Sequence, residues 1–459
     1  MIDNYFIGLT KTEQLNFQII PAWLLDVVGH LRQSYFQVYL VGGAVRDLLN
    51  GESPKDWDLA TDALPEQIEN LFRNTIPTGK IFGTITVLDG ENKVEVTTLR
   101  EDLGHQDGRH PQQVHFGKDI RKDLERRDFT INAIAYDFNQ QLLIDPFQGR
   151  RDLYHRVLKT VGDPKTRFAE DGLRMFRFYR FLATMDLKPE FKTVQAIDPT
   201  LAKYISFERI RDEFSKLLQG PFVRRSLEGM QKSHLLQAVI PELDLDKESA
   251  GSGGRRNLWN HLMIAVETIQ PELQLRWAAL LHDIAKPQTR FEDFKGIHFY
   301  GHDKIGAELS RVILERLRYP NILIDKVGKL IQWHMFNLPL NASDAAIRKF
   351  VAKAGEDLIP NLLELRRADI VASGNVDFLT WQFWDAYSKH IRGILVSGET
   401  VTQNKLAING HVLISQLSLK PGPVVGEILS YLLNLVNEDP GLNTSEQLIK
   451  LANDYCQNK

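Results

Sequence analysis

The spacing of apolar positions changes character part-way along the chain. In residues 1–150, short apolar runs of strand length recur at Val38–Val41, Thr84–Leu88, Val94–Thr98 and Ala133–Phe138. Helical periodicity is confined there to Trp23–Gln33 and Pro65–Phe72, and Asp145-Pro-Phe-Gln-Gly149 reads as a closing turn. From about Arg167 strand signals almost vanish. Helical patterns follow at Ala169–Ala183, Ile210–Gln219, Arg225–Ser233 and Leu235–Ala238, and resume from Leu258 onward. Gly251-Ser-Gly-Gly254 is a flexible link, and a break is expected near Gly374–Asn375. Lys420-Pro-Gly-Pro423 introduces a late helix at about Val424. Neither an internal repeat nor a low-complexity tract interrupts this plan. The pattern predicts a head that mixes strands and helices, followed by a long helical body.

Composition narrows the function classes. At 459 residues the chain is long enough for several domains. Lys and Arg number 56 against 59 Asp and Glu, a net charge of −3, so any contact with nucleic acid must come from local clusters. A single cysteine, Cys456, excludes a disulfide framework and a cysteine-based zinc site. The opening Met-Ile-Asp-Asn-Tyr lacks a basic region followed by an apolar core, and no apolar run approaches a membrane span. A cytoplasmic protein without a membrane partner is the expectation.

Chemistry concentrates in three polar clusters. In the first, the apolar run Val38–Val41 enters Gly42-Gly43-Ala-Val-Arg46-Asp47, and Asp56-Trp-Asp58 follows. Read as a strand, the latter puts both carboxylates on one face. The paired glycines let the backbone approach a ligand at a helix start, where unpaired N–H groups favour phosphate. Two carboxylates beside a phosphate site suggest divalent-metal phosphoryl or nucleotidyl transfer. An isolated Asp-x-Asp is more often a solvated edge pair; the adjacent Gly-Gly-Ala-Val-Arg-Asp element lowers those odds. Glu95, alternating with Val94 and Val96, is either a third metal-facing carboxylate or an ordinary outward polar residue.

In the second cluster, Asp123-Leu-Glu-Arg-Arg127-Asp128-Phe-Thr130-Ile-Asn132, arginines, an aspartate and an asparagine suit a triphosphate and a ribose hydroxyl. A salt-bridged helix start capped by Asp128 and Thr130 would look the same. The third is Arg167-Phe-Ala-Glu170-Asp171-Gly-Leu-Arg174-Met-Phe-Arg177-Phe-Tyr-Arg180. Asp171, Arg174, Arg177 and Arg180 recur every three residues along one expected helix face, and Glu170 stands four before Arg174. A solubility stripe needs fewer charges than this.

In this order, these motifs, with Asp-Pro-Phe-Gln-Gly-Arg-Arg-Asp-Leu between them, resemble class II tRNA nucleotidyltransferases, the CCA-adding enzymes, with bacterial poly(A) polymerases as relatives. Glu208-Arg-Ile-Arg-Asp-Glu-Phe resembles the family's neck, and Ala407-Ile-Asn-Gly-His411 with Lys-Pro-Gly-Pro-Val-Val-Gly426 its tail; His411 stands where the family commonly has Asp. The resemblance covers nearly the whole chain and implies an α+β fold. A small mixed-sheet nucleotidyltransferase head of the polymerase-β type spans 1–150, and a helical neck that recognises the base spans 151–224. A helical body spans 225–373 and a tRNA-binding tail 374–459.

The resemblance also implies roles. Asp56 and Asp58 would hold two Mg²⁺, one activating the tRNA 3′-hydroxyl and one stabilising pyrophosphate. Gly43, Arg46 and Arg127 would hold the triphosphate of ATP or CTP, with Asp128 and Asn132 near the ribose. Asp171 and Arg174 would act as a protein template, completed by Arg177 and Arg180. Hydrogen-bond chemistry supports that template independently. A carboxylate accepts from the exocyclic amine of C or A while a guanidinium donates to C N3/O2 or A N1; U and G present the opposite polarity to both groups.

A separate constellation comprises His261, His282-Asp283, His302, His334 and Asp369. A His-Asp pair inside an apolar helix needs a partner, and His and carboxylate are ligands of catalytic divalent metals. A lone histidine is more often a satisfied core residue. The pattern resembles an HD-superfamily phosphohydrolase domain with its core at 257–372. His261, His282, Asp283 and Asp369 would be ligands of a divalent transition metal, and His302 and His334 candidates for a second position.

Template-independent addition of C, A or both to tRNA 3′ ends leads these readings. The full-length segment Arg100–Phe116 argues against a CC-only enzyme and leaves CCA addition and A addition open. A poly(A) polymerase would carry a basic C-terminal tail, absent from Glu446–Lys459. An HD phosphohydrolase with a silent head is opposed by Asp56, Asp58, Arg127, Asp171 and Arg174. A non-catalytic RNA-binding protein is opposed by both metal constellations.

Overall fold

The computed structural model describes residues 5–105, 111–245, 257–336, 342–374, 378–398 and 400–457. The glycine-rich link at Gly251–Gly254, Asn375, and the middle of the segment Arg100–Phe116 lie outside the described residues. The chain forms two compact units, Met1–Pro241 and Glu242–Lys459.

The first unit begins with the strand-bearing head. Its strands are β1 (Phe6–Gly8), β2 (Val38–Val41), β3 (Asp58–Thr61), β4 (Thr75–Gly79) and β5 (Thr84–Asp89). They continue as β6 (Asn92–Thr98), β7 (Arg100–His105), β8 (Pro111–Phe116), β9 (Ala135–Asp137) and β10 (Leu142–Ile144). Eight of them make one mixed sheet in the order β1-β10-β9-β2-β3-β6-β5-β4, while β7 and β8 pair separately. All four β2 residues are buried, as expected for a central strand. The β3–β6 pair is parallel and sets Asp58 beside Glu95. Along β6, Val94 and Val96 are buried and Glu95 is exposed, so the period of two sends the carboxylate away from the core. That core gathers Leu24 and Leu31 of the helix Ala22–Gln33 with Leu40, Leu59, Val96 and Ile134.

Several expectations change on contact with the fold. Asp58 opens β3, but Asp56 lies in the bend before it, because pairing in the sheet begins only at Asp58. The run Ala133–Phe138 contracts to Ala135–Asp137, preceded by a 3₁₀ turn at Thr130–Asn132. The edge strand β4 carries Pro77, which an edge tolerates and which hid it from the apolar pattern.

The helix expected at Ala169–Ala183 is two helices, Pro164–Glu170 and Leu173–Thr184. Asp171 between them is extended (φ −150°, ψ 104°), and its carboxylate accepts from the Leu173 N–H at 3.1 Å, a local bond that competes with helix continuation. Leu235–Ala238 is a turn: the preceding helix Val223–Lys232 ends, His234 takes φ +59°, and the remaining run is too short to continue. Phe207–Leu218 and Val223–Lys232 pack on Leu173–Thr184. The Tyr179 hydroxyl donates to the Gly229 carbonyl at 2.9 Å, and Ser226 donates to the Tyr179 carbonyl at 2.9 Å.

The second unit is mainly helical. Leu258–Thr268, Leu273–Leu281, His302–Arg316, Asn321–Trp333 and Ile359–Ser373 make its first half. Gly374 ends the last of these at φ +72°. Strands do not vanish here: Arg290–Asp293 and Gly296–Phe299 form an antiparallel hairpin of short, largely exposed strands without an alternating apolar pattern. Pro423–Glu438 and Ser445–Gln457 enclose a separate core around Ile428, Leu432, Val436 and Leu448. Among the described residues, no helix is long and apolar enough to cross a membrane.

One glycine ties the head loops together. A Cβ on Gly149 would sit 2.0 Å from the Thr130 carbonyl oxygen, whereas one on Gly29, within Ala22–Gln33, meets nothing within 4 Å. Gly149→Ala should therefore lower unfolding stability by about 2 kcal/mol or more, and Gly29→Ala should leave it unchanged or raise it. Urea denaturation of the two variants measures the contrast.

Candidate functional site

A cleft of about 1000 Å³ opens within the first unit, lined by Gly42, Gly43, Arg46, Asp56, Asp58, Glu95, Arg127, Asp128, Asn132, Asp171, Arg174, Arg177 and Arg180. Every residue expected to take part in transfer or base choice thus lines one cavity. Gly42 takes φ +71°, and a Cβ there would lie 3.0 Å from Arg127 Nη1 and 3.5 Å from Asp58 Oδ2. The glycine is what lets backbone, guanidinium and carboxylate meet.

Asp58 carries an uncompensated charge. Burial pushes its carboxyl up to about 6; Arg127 opposes the shift, while Glu95 and Asp56 add to it. Asp58, with Glu95 and Asp56 lining the same cleft, offers carboxylate oxygens of the kind a divalent cation takes, though the three are not drawn together as closely as the histidine cluster of the second unit. Asp128 shows the reverse balance. Burial disfavours its charge, yet Arg177 at 2.6 Å, Asn132 and Arg174 hold the carboxyl well below the carboxylate range.

The arginines are held before any nucleotide arrives. Arg46 pairs with Asp47 at 2.6 Å and donates to Asn132 Oδ1 at 2.8 Å; Arg127 reaches Asp123 at 3.2 Å. Arg174 donates to Glu170 at 2.6 Å and to the carbonyls of Arg167 and Arg126 at 3.0 and 2.8 Å. Arg180 pairs with Glu213 at 2.6 Å and lies 3.9 Å over the Phe181 ring. Two residues that were not picked out as site residues do much of this holding. Arg209 chelates Asp171 through contacts of 2.8 and 3.3 Å, and Glu213 stands between Arg180 and Arg177, 3.6 Å from the latter. Both lie in the neck motif Glu208–Phe214, four apart on one face of Phe207–Leu218, but nothing in the motif singled them out.

In the second unit all six expected residues come together, each buried. His261, His282, Asp283 and Asp369 form one group, and Asp283, His302 and His334 another. His282, His302 and His334 donate from Nδ1 to the carbonyls of Ala279, Phe299 and Ile331 at 3.0, 2.7 and 2.6 Å. Their Nε2 atoms therefore turn inward, with His261 and His282 3.1 Å apart and His302 and His334 3.3 Å apart. Asp283 Oδ2 lies 3.2 Å from His261, whereas Oδ1 faces His302 and His334 at 3.4 and 3.6 Å and accepts no hydrogen bond.

Converging imidazole nitrogens, tethered from behind by carbonyls around an orphaned buried oxygen, fit divalent metal. Without one, the charges compensate each other. Burial opposes protonation of His282, but Asp283 and Asp369 push it up to about 10; burial also opposes ionisation of both aspartates, yet they are held well below the carboxylate range. Lys286 pairs with Asp283 and Arg366 with Asp369 at 2.8 Å, partners that had not been anticipated.

Comparison with known proteins places this geometry. Family models match residues 38–159 as a poly A polymerase head domain, 260–374 as an HD domain and 186–246 as a probable RNA and SrmB-binding site of polymerase A. A CCA-adding enzyme of Geobacillus sp. (strain WCH70) is 42% identical over 409 residues, 88% of this chain and 90% of that protein. The chain belongs to the CCA-adding enzyme family. A second member, from Geobacillus stearothermophilus, is 33% identical over 426 residues, 92% of this chain and 94% of its own length. The crystal structure of the Bacillus stearothermophilus CCA-adding enzyme in complex with CTP superimposes with a TM-score of 0.73 at 28% identity, covering 95% of this chain and 97% of that one. The α+β architecture, with a mixed-sheet head and an HD domain, is that of the family.

Two outcomes follow from the electrostatics. An acid whose pKa is raised by folding destabilises the native state above that pKa and ceases to do so as pH falls towards the unfolded value. Asp58→Asn should thus stabilise the metal-free protein at pH 7.5 by up to about 2 kcal/mol. Mg²⁺ should raise the Tm of the wild type more than that of the variant; scanning calorimetry with and without Mg²⁺ measures both. In the second unit, His282→Ala and Asp369→Asn should each lose most of the divalent metal found by elemental analysis of the purified protein, while the metal dependence of the head is untouched.

Proposed function

We propose that this protein adds C and A, from CTP and ATP, to the 3′ end of tRNA without a nucleic-acid template. The carrying observation is that one cleft collects Asp56 and Asp58, the arginines and Asn132 suited to a nucleoside triphosphate, and the Asp171–Arg174 pair. In this reading residues 1–150 perform the transfer, 151–224 choose the base, 225–373 contain the HD domain and 374–459 bind tRNA. The tRNA acted on is, in this reading, cytoplasmic, and among the described residues no helix is long and apolar enough to cross a membrane.

The RNA 3′-oxygen bonds to the α-phosphorus as the bridge to the β-phosphate breaks. The hydroxyl proton is lost and pyrophosphate departs. Asp56 and Asp58, with Glu95 beside them, hold divalent cations, Mg²⁺ in this reading, which when bound lower the pKa of the attacking hydroxyl and neutralise the leaving group. Gly42 and Gly43 keep the wall of the cleft low. Arg46 and Arg127 exchange part of their pairing with Asp47 and Asp123 for phosphate oxygens, and Asn132, anchored by Asp128, stands where a ribose hydroxyl would hydrogen-bond. Arg174, fixed by two carbonyls and Glu170, presents only donors to the base edge; Asp171, fixed by Arg209, presents only acceptors. Arg177 and Arg180, locked to Asp128 and Glu213, close the pocket behind the base. The second unit holds a divalent transition metal at its histidine cluster and hydrolyses phosphate esters there.

The test incubates the protein with tRNA ending before CCA, tRNA ending in CC, or a bare oligoribonucleotide, with each labelled nucleoside triphosphate separately. C enters the first substrate, A follows there only when unlabelled CTP is also supplied, and A enters the second, with little transfer to the oligoribonucleotide. Addition of A alone, whichever end is offered, marks an A-adding enzyme, and long A tracts on the oligoribonucleotide a poly(A) polymerase. Arg209→Ala should loosen the aim of Asp171 and lower discrimination of C and A against U and G by roughly tenfold or more. Asp58→Ala should abolish incorporation of every nucleotide.

A further inference from the structure

The hairpin hidden from the apolar pattern lies in sequence between residues of the metal cluster, with Asp283 and its ion-pair partner Lys286 before it and His302 after it. Its register pairs Arg290 with Phe299 and Phe291 with His298, so alternate residues divide between two faces. The face with Phe299 turns towards the cluster. The Phe299 ring lies 5.6 Å from the Lys286 ammonium, and its carbonyl accepts from His302 Nδ1 at 2.7 Å.

The other face carries Phe291 and His298, and Tyr300 continues it. The His298 and Tyr300 rings stack 5.3 Å apart at 13°, and Phe291 lies 6.4 Å from Tyr300. His298 is steadied by Asp293 at 3.0 Å. Phe291 and Tyr300 nonetheless remain 54% and 69% exposed. A two-stranded hairpin is marginal by itself and gains nothing from rings left in water. A stacked His298–Tyr300 pair flanked by the Phe291 ring, tilted at 46°, and ending two residues before a histidine of the cluster, offers π surface to a nucleobase whose phosphate is to reach that cluster. Lys295, at the hairpin turn, adds a cation beside the exposed Phe294 ring.

We infer that Phe291, His298 and Tyr300 form a base-stacking platform that seats the 3′-terminal nucleotide of single-stranded RNA beside the histidine cluster. This rests on the cluster being a phosphohydrolase centre. It adds the substrate class, a terminal ribonucleotide held by its base, and assigns that recognition to the hairpin. Stacking tolerates any base, so the site reads an end rather than a sequence.

The experiment uses the full chain in EDTA with a short oligoribonucleotide carrying a 3′-phosphate and 5-iodouridine at its last position. Irradiation followed by peptide mapping should place the crosslink at Phe291, His298 or Tyr300, and moving the label five nucleotides upstream should abolish it. Phe291→Ala combined with Tyr300→Ala should reduce this crosslink about tenfold or more, while Tyr300→Phe retains it and thermal denaturation is unchanged. A terminal crosslink confined to residues 1–241, or one that persists in the double variant, overturns the proposal. So does a dimer of the wild type that the double variant dissolves, since the face then belongs to a second copy. Because the crosslink is read without metal, failure of the cluster to bind metal and failure of the platform to bind RNA are separate results.

Discussion

A carboxylate taken out of water needs a cation or a set of N–H donors, and the arrangement of the cleft and of the histidine cluster follows from buried carboxylates that take cations. Asp128 has Arg177, Asp123 has Arg126 and Arg127, and Glu213 has Arg180. Asp283 has Lys286 and the surrounding imidazoles. Removing either member of such a pair strands the other, which makes them costly to break even where they add little net stability. Asp58, in the same cleft as Asp128, differs: the Arg127 guanidinium does not offset burial and the two nearby acids. The same rule that fixes the surrounding side chains thus leaves net negative charge at Asp58, the position where the proposed transfer chemistry uses a cation.

Pre-pairing also bears on how the cleft would receive a nucleotide in the proposed function. A free arginine would lose both hydration and side-chain freedom when a triphosphate binds. One already held by Asp47 or Glu170 has given up much of that freedom on folding and exchanges one charged partner for another. The helix Phe207–Leu218 is therefore more than a support, because Arg209 and Glu213 set the aim of Asp171, Arg177 and Arg180 from behind.

What could be read in the chain depended on the range of the interaction. Strand β2 and the helix Ala22–Gln33 follow from local periodicity and the fold preserves them, whereas for Glu95 periodicity gave only that it leaves the core and not that it lines the cleft beside Asp58. The motif order carried the family. The break at Asp171 escaped detection because a carboxylate capping its own downstream N–H leaves the three-residue spacing of charges intact. Arg209 escaped because its partner lies thirty-eight positions away, and periodicity says nothing about pairs between elements. The hairpin at Arg290–Phe299 escaped for another reason: its aromatic side chains remain in solvent, so no alternation of buried and exposed positions marks it.

The break at Asp171 bears on why an Asp–Arg pair is suited to base choice. An amide side chain at either position could present donor or acceptor by rotating, and so could satisfy any base edge. A guanidinium has donors only, and an ionised carboxylate has acceptors only. Selection then requires that neither group swing away from a mismatched edge. Arg174 is prevented by two backbone carbonyls and Glu170, and Asp171 by Arg209 together with the N–H of Leu173. Placed within a continuous helix, Asp171 would lack that backbone tether, since the Leu173 N–H would be committed to the helix ladder. Interrupting the helix gives up a backbone hydrogen bond and gains a fixed acceptor. On this account fidelity comes from rigid polarity at Asp171 and Arg174, whereas Asp56 and Asp58 supply rate without regard to the base.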